Sequence, residues 1–380
     1  MPPGEKNVHA FWLFFPAASV LAAIAVPLSI RAVLSGTGWP SGLTGAGHGH
    51  ELIFGFALAL IAGYTLGPQP RRILLPLFAL WLLARVSWLL APDTALAQLL
   101  SPAFALALAR YAVPRFSAAK KWRNKAAAPL ILLLCLLAVG FLISRDANRH
   151  LPFSFPDAHQ LMQSAILGLL MLMTFIGGRV IAPAVAGTLE KQGIPLKARV
   201  QPHIEGTLIL LLSASVALSL VSAPALLIGF LLLATAVGII IRSVRWKLWL
   251  CRKRPDLLVL AAGYLWLAIG AGMTGLHLLA GASPVPALHL ITIGALGTLS
   301  TSVMLRLAWQ RSHRMFPPAW QALTSGAAIA TSAISRYLAG PTPFNEPGWL
   351  WLSSSLWSLA FLGVAVQLLM LAGSSKNRRK

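Results

Sequence analysis

Residues 204–241 read IEGTLILLLSASVALSLVSAPALLIGFLLLATAVGIII, a stretch whose single charged residue is Glu205. A bilayer core is crossed by about 20 apolar residues in helical form, so this run is too long for one crossing and fits two. Pro224, preceded by the small residues Ser222 and Ala223, supplies the turn between them. With no water in the hydrocarbon to satisfy backbone N–H and C=O groups, each half has to be a helix. The sequence therefore predicts a pair of antiparallel spans over 204–222 and 224–242.

Working outward with the same rule gives further spans near 10–34, 50–67, 73–91, 94–113, 128–144, 158–182, 257–280, 285–306, 317–339 and 347–373. The expected fold is an all-α membrane protein, a polytopic bundle of about twelve transmembrane helices. It forms one integral membrane domain over residues 1–380. Of the chain, 57% is apolar and 11% charged, where a soluble domain carries about a quarter of its residues as charges. The mean hydropathy is +0.75. Ala23-Ile24-Ala25 has the look of a signal-peptidase site. The apolar stretch runs past it to Leu34, however, so an uncleaved first helix is expected.

The net charge of +22 is a topological signal. The basic residues sit in short clusters between apolar stretches, not interleaved with aromatics in a polar domain, which argues against nucleic acid as a partner. The N-terminus, the loops after spans 2, 4, 6, 8 and 10, and the C-terminal tail together hold 26 of the 31 Lys and Arg, whereas the intervening loops hold 3. That division puts both termini in the cytoplasm and requires an even number of spans. Arg31 and Arg85 are the two left inside spans. The basic tail from Lys376 to Lys380 reads as an anchor to the inner face, and the inner (cytoplasmic) membrane, crossed many times, is the expected location. The lipid bilayer is the one partner that composition specifies. Cys135 and Cys251 fall at different depths, so no disulfide is expected between them.

Depth sorts the nine histidines. His9, His203 and His313 fall at cytoplasmic ends. His48 and His50 open span 2 on the outer side, followed directly by Glu51. His150 precedes span 6, His159 starts it, His277 lies in the outer half of span 9, and His289 starts span 10. Ionisable groups within spans are costly and serve ion paths, relays or cofactors, and imidazole is a common ligand for copper, haem iron and zinc. His48 and His50 reach one centre only if the backbone between them is not yet helical, whereas His48 and Glu51 share a face once it is. Met273 and His277 stand four apart, a thioether beside an imidazole that suits copper. Gly294, Gly297, Thr298 and Thr301 give span 10 a small-residue face for close helix approach. At the other end, Arg179 and Arg306 offer guanidinium groups to an anion or to lipid, with Glu205 placed to pair nearby. No phosphate-binding loop, dinucleotide fingerprint or His-Glu-x-x-His occurs. Nor is there a convincing repeat between residues 1–190 and 191–380, and the histidines lie off-centre, which weakens the alternative of a secondary transporter for a substrate such as a metal ion.

Three segments resemble a known family. Gly47-His48-Gly49-His50-Glu51-Leu52-Ile53-Phe54-Gly55-Phe56 resembles the H-A-H-E-M-L-F-G-F signature of the NnrS family. Leu172-Met173-Thr174-Phe175-Ile176-Gly177-Gly178-Arg179-Val180-Ile181 is similar to its L-M-T-x-I-G-G-R-V-I. Ala287-Leu288-His289-Leu290-Ile291-Thr292-Ile293-Gly294-Ala295-Leu296-Gly297-Thr298 is similar to its H-A-L-T-x-G-A-I-G-T. The matches fall in order on spans 2, 6 and 10. Members are described as haem- and copper-containing bacterial inner-membrane proteins of the nitric oxide response and of nitrosative stress tolerance. The resemblance therefore implies haem and copper as cofactors and nitric oxide or a metal-nitrosyl species as the small partner. It also implies His48, His50 and His289 as ligands with Glu51 nearby. His277 and His159 join the candidates from depth alone. After span 10 the chain has Arg306-Leu307-Ala308-Trp309-Gln310-Arg311-Ser312-His313-Arg314 where the family often shows a Gly-His-Thr-Gly-like turn, so no role is carried over to that end. Twelve spans with histidines on spans 2, 6 and 10 also suggest a haem-copper oxidase or nitric oxide reductase. Against that reading, no span holds a His-His pair and only 4 tyrosines are present. Protein partners are unspecified by the sequence.

Overall fold

The computed structural model describes residues 7–120, 125–150 and 155–377, except for the side chains of 145–150 and 374–377. Lys6, the middle of the basic connection 114–127, the side chain of His150 and the ends of the lysine-rich tail lie outside that description.

Twelve long helices run through the described residues. They are α1 Phe11–Leu34, α2 Ala46–Thr65, α3 Arg71–Leu90, α4 Ala95–Ser117, α5 Ala127–His150, α6 Ala158–Glu190, α7 Pro202–Leu220, α8 Ala225–Arg245, α9 Pro255–Leu279, α10 Val285–His313, α11 Ala319–Leu338 and α12 Pro347–Asn377. Eleven are long and apolar enough to cross a membrane. The opening stretch divides as its composition requires. α7 stops at Leu220, Ser222 takes a left-handed φ of 52°, and Pro224 in extended conformation leads into α8. Prolines open α7 and α9 at their first turns, where the missing N–H has no helical partner to lose.

α11 is the helix too polar to qualify by apolarity alone, and packing explains why it persists. Ser332 Oγ donates to Ser353 O at 2.7 Å while Ser353 Oγ donates to Ser332 O at 2.8 Å, a reciprocal pair joining α11 to α12. Gln321 accepts from Trp309 Nε1 at 2.8 Å and donates to Gln367 at 3.0 Å. Polar groups satisfied by neighbouring helices are tolerated at membrane depth.

A short antiparallel ladder, unannounced by hydropathy, pairs β1 (Asn7–His9) with β2 (Pro68–Pro70). It ties the segment before α1 to the connection between α2 and α3.

The chain divides into two compact units, Met1–Ala165 and Ile166–Lys380. Within the first, α1 packs on α2, α3 on α4, and α4 on α5. Within the second, α8 lies against α9, while α10 is packed by α9, α11 and α12. Small residues set these distances: a Cβ on Gly275 of α9 would lie 2.7 Å from Gly229 O of α8. On the small face of α10, Gly294 receives the indole of Trp266, and Gly297 receives Trp357 and Ile329. Cys135 and Cys251 are both unbridged and buried.

Candidate metal-ligand sites

Among the described residues two helices widen into a π-turn, each immediately after a candidate histidine. α2 begins as an ordinary helix over Ala46–His50, widens into a π-helix over Glu51–Ala57 and resumes at Leu58. α10 does the same, with an α-turn over Val285–His289 and a π-helix over Leu290–Ala295. In both, the histidine is the last residue before the wide turn and a glycine follows five positions later, Gly55 and Gly294. π-Turns are rare and recur at functional sites.

The backbone from Ala46 to His50 is already helical, so the condition for His48 and His50 to share a centre is not met. At 3.6 residues per turn, side chains two apart leave a helix about 200° apart. His48 is half-buried, whereas His50 is 2% exposed. The imidazole of His50 lies stacked on Trp88 with centroids 3.7 Å apart and tilted against Phe141 at 5.1 Å. Its Nδ1–H donates to Glu51 Oε1 at 3.1 Å. Glu51 is fully buried and its Oε1 also accepts from Arg85 Nη1 at 2.7 Å, while Arg85 Nη2 donates to Ser101 Oγ at 2.7 Å. The second oxygen, Glu51 Oε2, is buried with no hydrogen-bond partner among the described residues. Gly55 makes this geometry possible, because a Cβ there would sit 2.6 Å from Arg85 Nη1. Trp81 fixes α3 against the same turn by donating to Gly55 O, and Trp88 ties α3 to the short turn Ser41–Leu43 before α2 by donating to Gly42 O, each at 3.0 Å.

Arg85 and Trp88 were not among the sequence candidates. The signal for Arg85 was present, since a lone arginine in one span and a lone glutamate in another each need a partner. His159 is exposed at the start of α6. Three residues on, the Met162 sulfur packs so tightly on Gly49 that a Cβ there would lie 2.4 Å from it.

In the second unit, His289 Nδ1–H donates to Val285 O at 2.8 Å, which orients the ring. His277 is held differently. Its Nδ1–H donates to Ser283 O at 2.7 Å, and its Nε2 accepts from Tyr337 Oη–H at 3.1 Å. Both nitrogens are thus engaged, and a metal would have to displace Tyr337. Met273 is half-buried one turn before His277. In either unit, among the described residues, no three His, Cys, Asp or Glu side chains come together as a metal-binding group.

At the opposite end of the second unit, the expected pairing of Arg179 with Glu205 is present at 3.3 Å. The same carboxylate meets Arg242 Nη2 at 3.5 Å, and Arg242 donates to Tyr264 Oη and Thr174 O. Gly177 and Gly178 admit these partners: Cβ atoms there would meet Tyr264 at 2.7 Å and Arg242 at 2.3 Å. Asp256 pairs with Arg254 at 2.9 Å and with Arg306 at 3.3 Å. Arg179 and Arg306, read from sequence as possible anion clamps, therefore face carboxylates of the chain itself. His203 is exposed, His9 caps the start of α1, and His313 lies against Trp309.

A family model described as NnrS protein matches residues 8–374. No curated protein matches the chain.

Proposed function

The chain belongs to the NnrS family, and from that premise we propose that it is a haem-binding protein of the bacterial inner membrane that handles nitric oxide or its metal adducts. Both termini are in the cytoplasm in this reading, supported by the division of Lys and Arg among the loops.

One observation carries the ligand assignment. A metal-bound imidazole donates its other N–H to a carboxylate or a backbone carbonyl, which fixes ring and tautomer. His50 does the first through Glu51 and His289 the second through Val285 O, each at the last residue before a π-turn. In both rings Nε2 is then the nitrogen that would bind iron. Trp88 and Phe141 pack directly on the His50 ring and hold its orientation. Haem iron needs only one or two protein ligands, so the donor set present fits haem better than a closed copper site. Copper remains part of the proposal through the family resemblance, with His48 as the ligand to test: His48, Glu51 and His159 do not come together as a group among the described residues, and at Met273 with His277 copper would have to displace Tyr337. Haem, when bound, supplies an iron that takes up nitric oxide. The residues hold the imidazole, keep the surroundings dry and balance the buried charge.

Purified protein is expected to show a Soret band that falls at least several-fold in His50→Ala and His289→Ala and is unchanged in His203→Ala and His313→Ala. Equal haem content in all four variants, or no Soret band in the parent, would overturn the assignment. Metal analysis of His48→Ala tests the copper part separately.

A further inference from the structure

Of the buried arginines, Arg85 faces Glu51 and Arg242 faces Glu205. Arg336 is the exception. It is 8% exposed near the end of α11, and its guanidinium makes one hydrogen bond among the described residues, from Nη1 to Gly340 O at 3.3 Å. No Asp or Glu among the described residues forms an ion pair with it. Charge patterning makes the residue more unusual still. It is one of the 3 basic residues on the side that is otherwise nearly empty of cations. Leaving a buried cation uncompensated costs several kcal/mol, and the guanidinium has five N–H donors to satisfy.

Arg336 lies at the same end of the unit as the candidate histidines. The next residue, Tyr337, holds His277, and α11 packs against both the Val285–His289 turn and the π-turn that follows it. We propose that Arg336 binds an anionic group, a carboxylate or a phosphate, that enters the second unit at this end. The planar fork of guanidinium is matched to either group and takes it in a bidentate grip. Two sources carry that chemistry, a carboxylate arm of bound haem and the phosphate of an anionic lipid. Only the haem source rests on the function proposed above.

The test compares wild-type protein with Arg336→Gln, Arg336→Lys and Glu346→Gln, each in nanodiscs of neutral lipid with and without phosphatidylglycerol. Haem content is read optically and bound lipid by native mass spectrometry. Arg336→Gln is expected to lower occupancy of one ligand about tenfold, the worth of a charged hydrogen bond, with Arg336→Lys intermediate. Loss of lipid with haem retained identifies the phosphate, and loss of haem with lipid retained identifies the carboxylate. Folded Arg336→Gln that keeps both at wild-type levels overturns the proposal. So does a drop in thermal stability from Glu346→Gln equal to that from Arg336→Gln, since the partner is then the chain's own carboxylate. Should Arg336→Gln not fold, the wild type decides: its thermal midpoint rises with phosphatidylglycerol or with added haem, and a midpoint moved by neither overturns the proposal. Wild-type protein without haem counts against the metal reading and leaves the lipid measurement to decide here.

Discussion

Replacing Arg85 with methionine removes the cation from the most enclosed charge pair in the first unit. Glu51 is fully buried and Arg85 is 2% exposed, with 2.7 Å between Oε1 and Nη1. At that distance and an effective dielectric of about 20, the attraction is about 6 kcal/mol. Desolvation offsets much of it in the intact pair, but removing one partner leaves the other charge buried, at a cost of about 3–5 kcal/mol. For a unit of this size that corresponds to a fall of about 10 °C in thermal midpoint. The assay is tryptophan fluorescence on heating in detergent, where Trp81 and Trp88 report directly on the turn. The double variant Arg85→Met with Glu51→Gln removes both charges and is expected to recover most of the loss, because no ion is then left in a dry site. A double variant as unstable as the single, or a single variant within about 1 kcal/mol of wild type, would refute the charge-pair argument.

Glycines give a graded series. Gly55→Ala and Gly178→Ala, whose Cβ atoms would strike Arg85 and Arg242, should each lose about 1–3 kcal/mol of stability by overpacking. Gly187→Ala in α6 has nothing within 4 Å and should gain up to about 1 kcal/mol from helix propensity; thermal scans in detergent rank all three. Cys135 and Cys251 are buried and unbridged, and burial pushes the Cys251 thiol up, with Arg254 opposing. A charged maleimide should leave both unmodified until the protein is denatured, as intact-mass measurement would show. In a cysteine-free background, Ala282→Cys should label from outside intact cells and Gln192→Cys only after permeabilisation. The opposite pattern would invert the proposed topology.

Hydropathy made the number and order of helices legible because lipid imposes the same demand on every crossing. It reads slab thickness, though, and not helix length. α6 continues from the last apolar residues to Glu190 and stops where Gly193 takes a left-handed φ of 73°. The pairing of Arg179 with Glu205 could be read from shared depth. The partners of Glu51 and His277 could not, since Arg85 is 34 residues from one and Tyr337 is 60 from the other, with no periodicity connecting them. The π-turns are equally hidden, because hydrophobicity does not encode the register of backbone hydrogen bonds. Two of the three motifs fall on the helices with π-turns, and the glycine five residues after each histidine makes room for a side chain, Arg85 at Gly55 and Trp266 at Gly294.

An α-helix locks the bearing of every side chain to that of all the others, so turning one residue means turning the whole rod. A π-turn inserts a phase shift. Below it, α2 can keep the face that packs on α1, while the turn above presents His50 at an independent angle. α10 gains the same freedom for His289. Each helix therefore behaves as two segments in series, one serving as foundation and the other as a pointer set to its own heading.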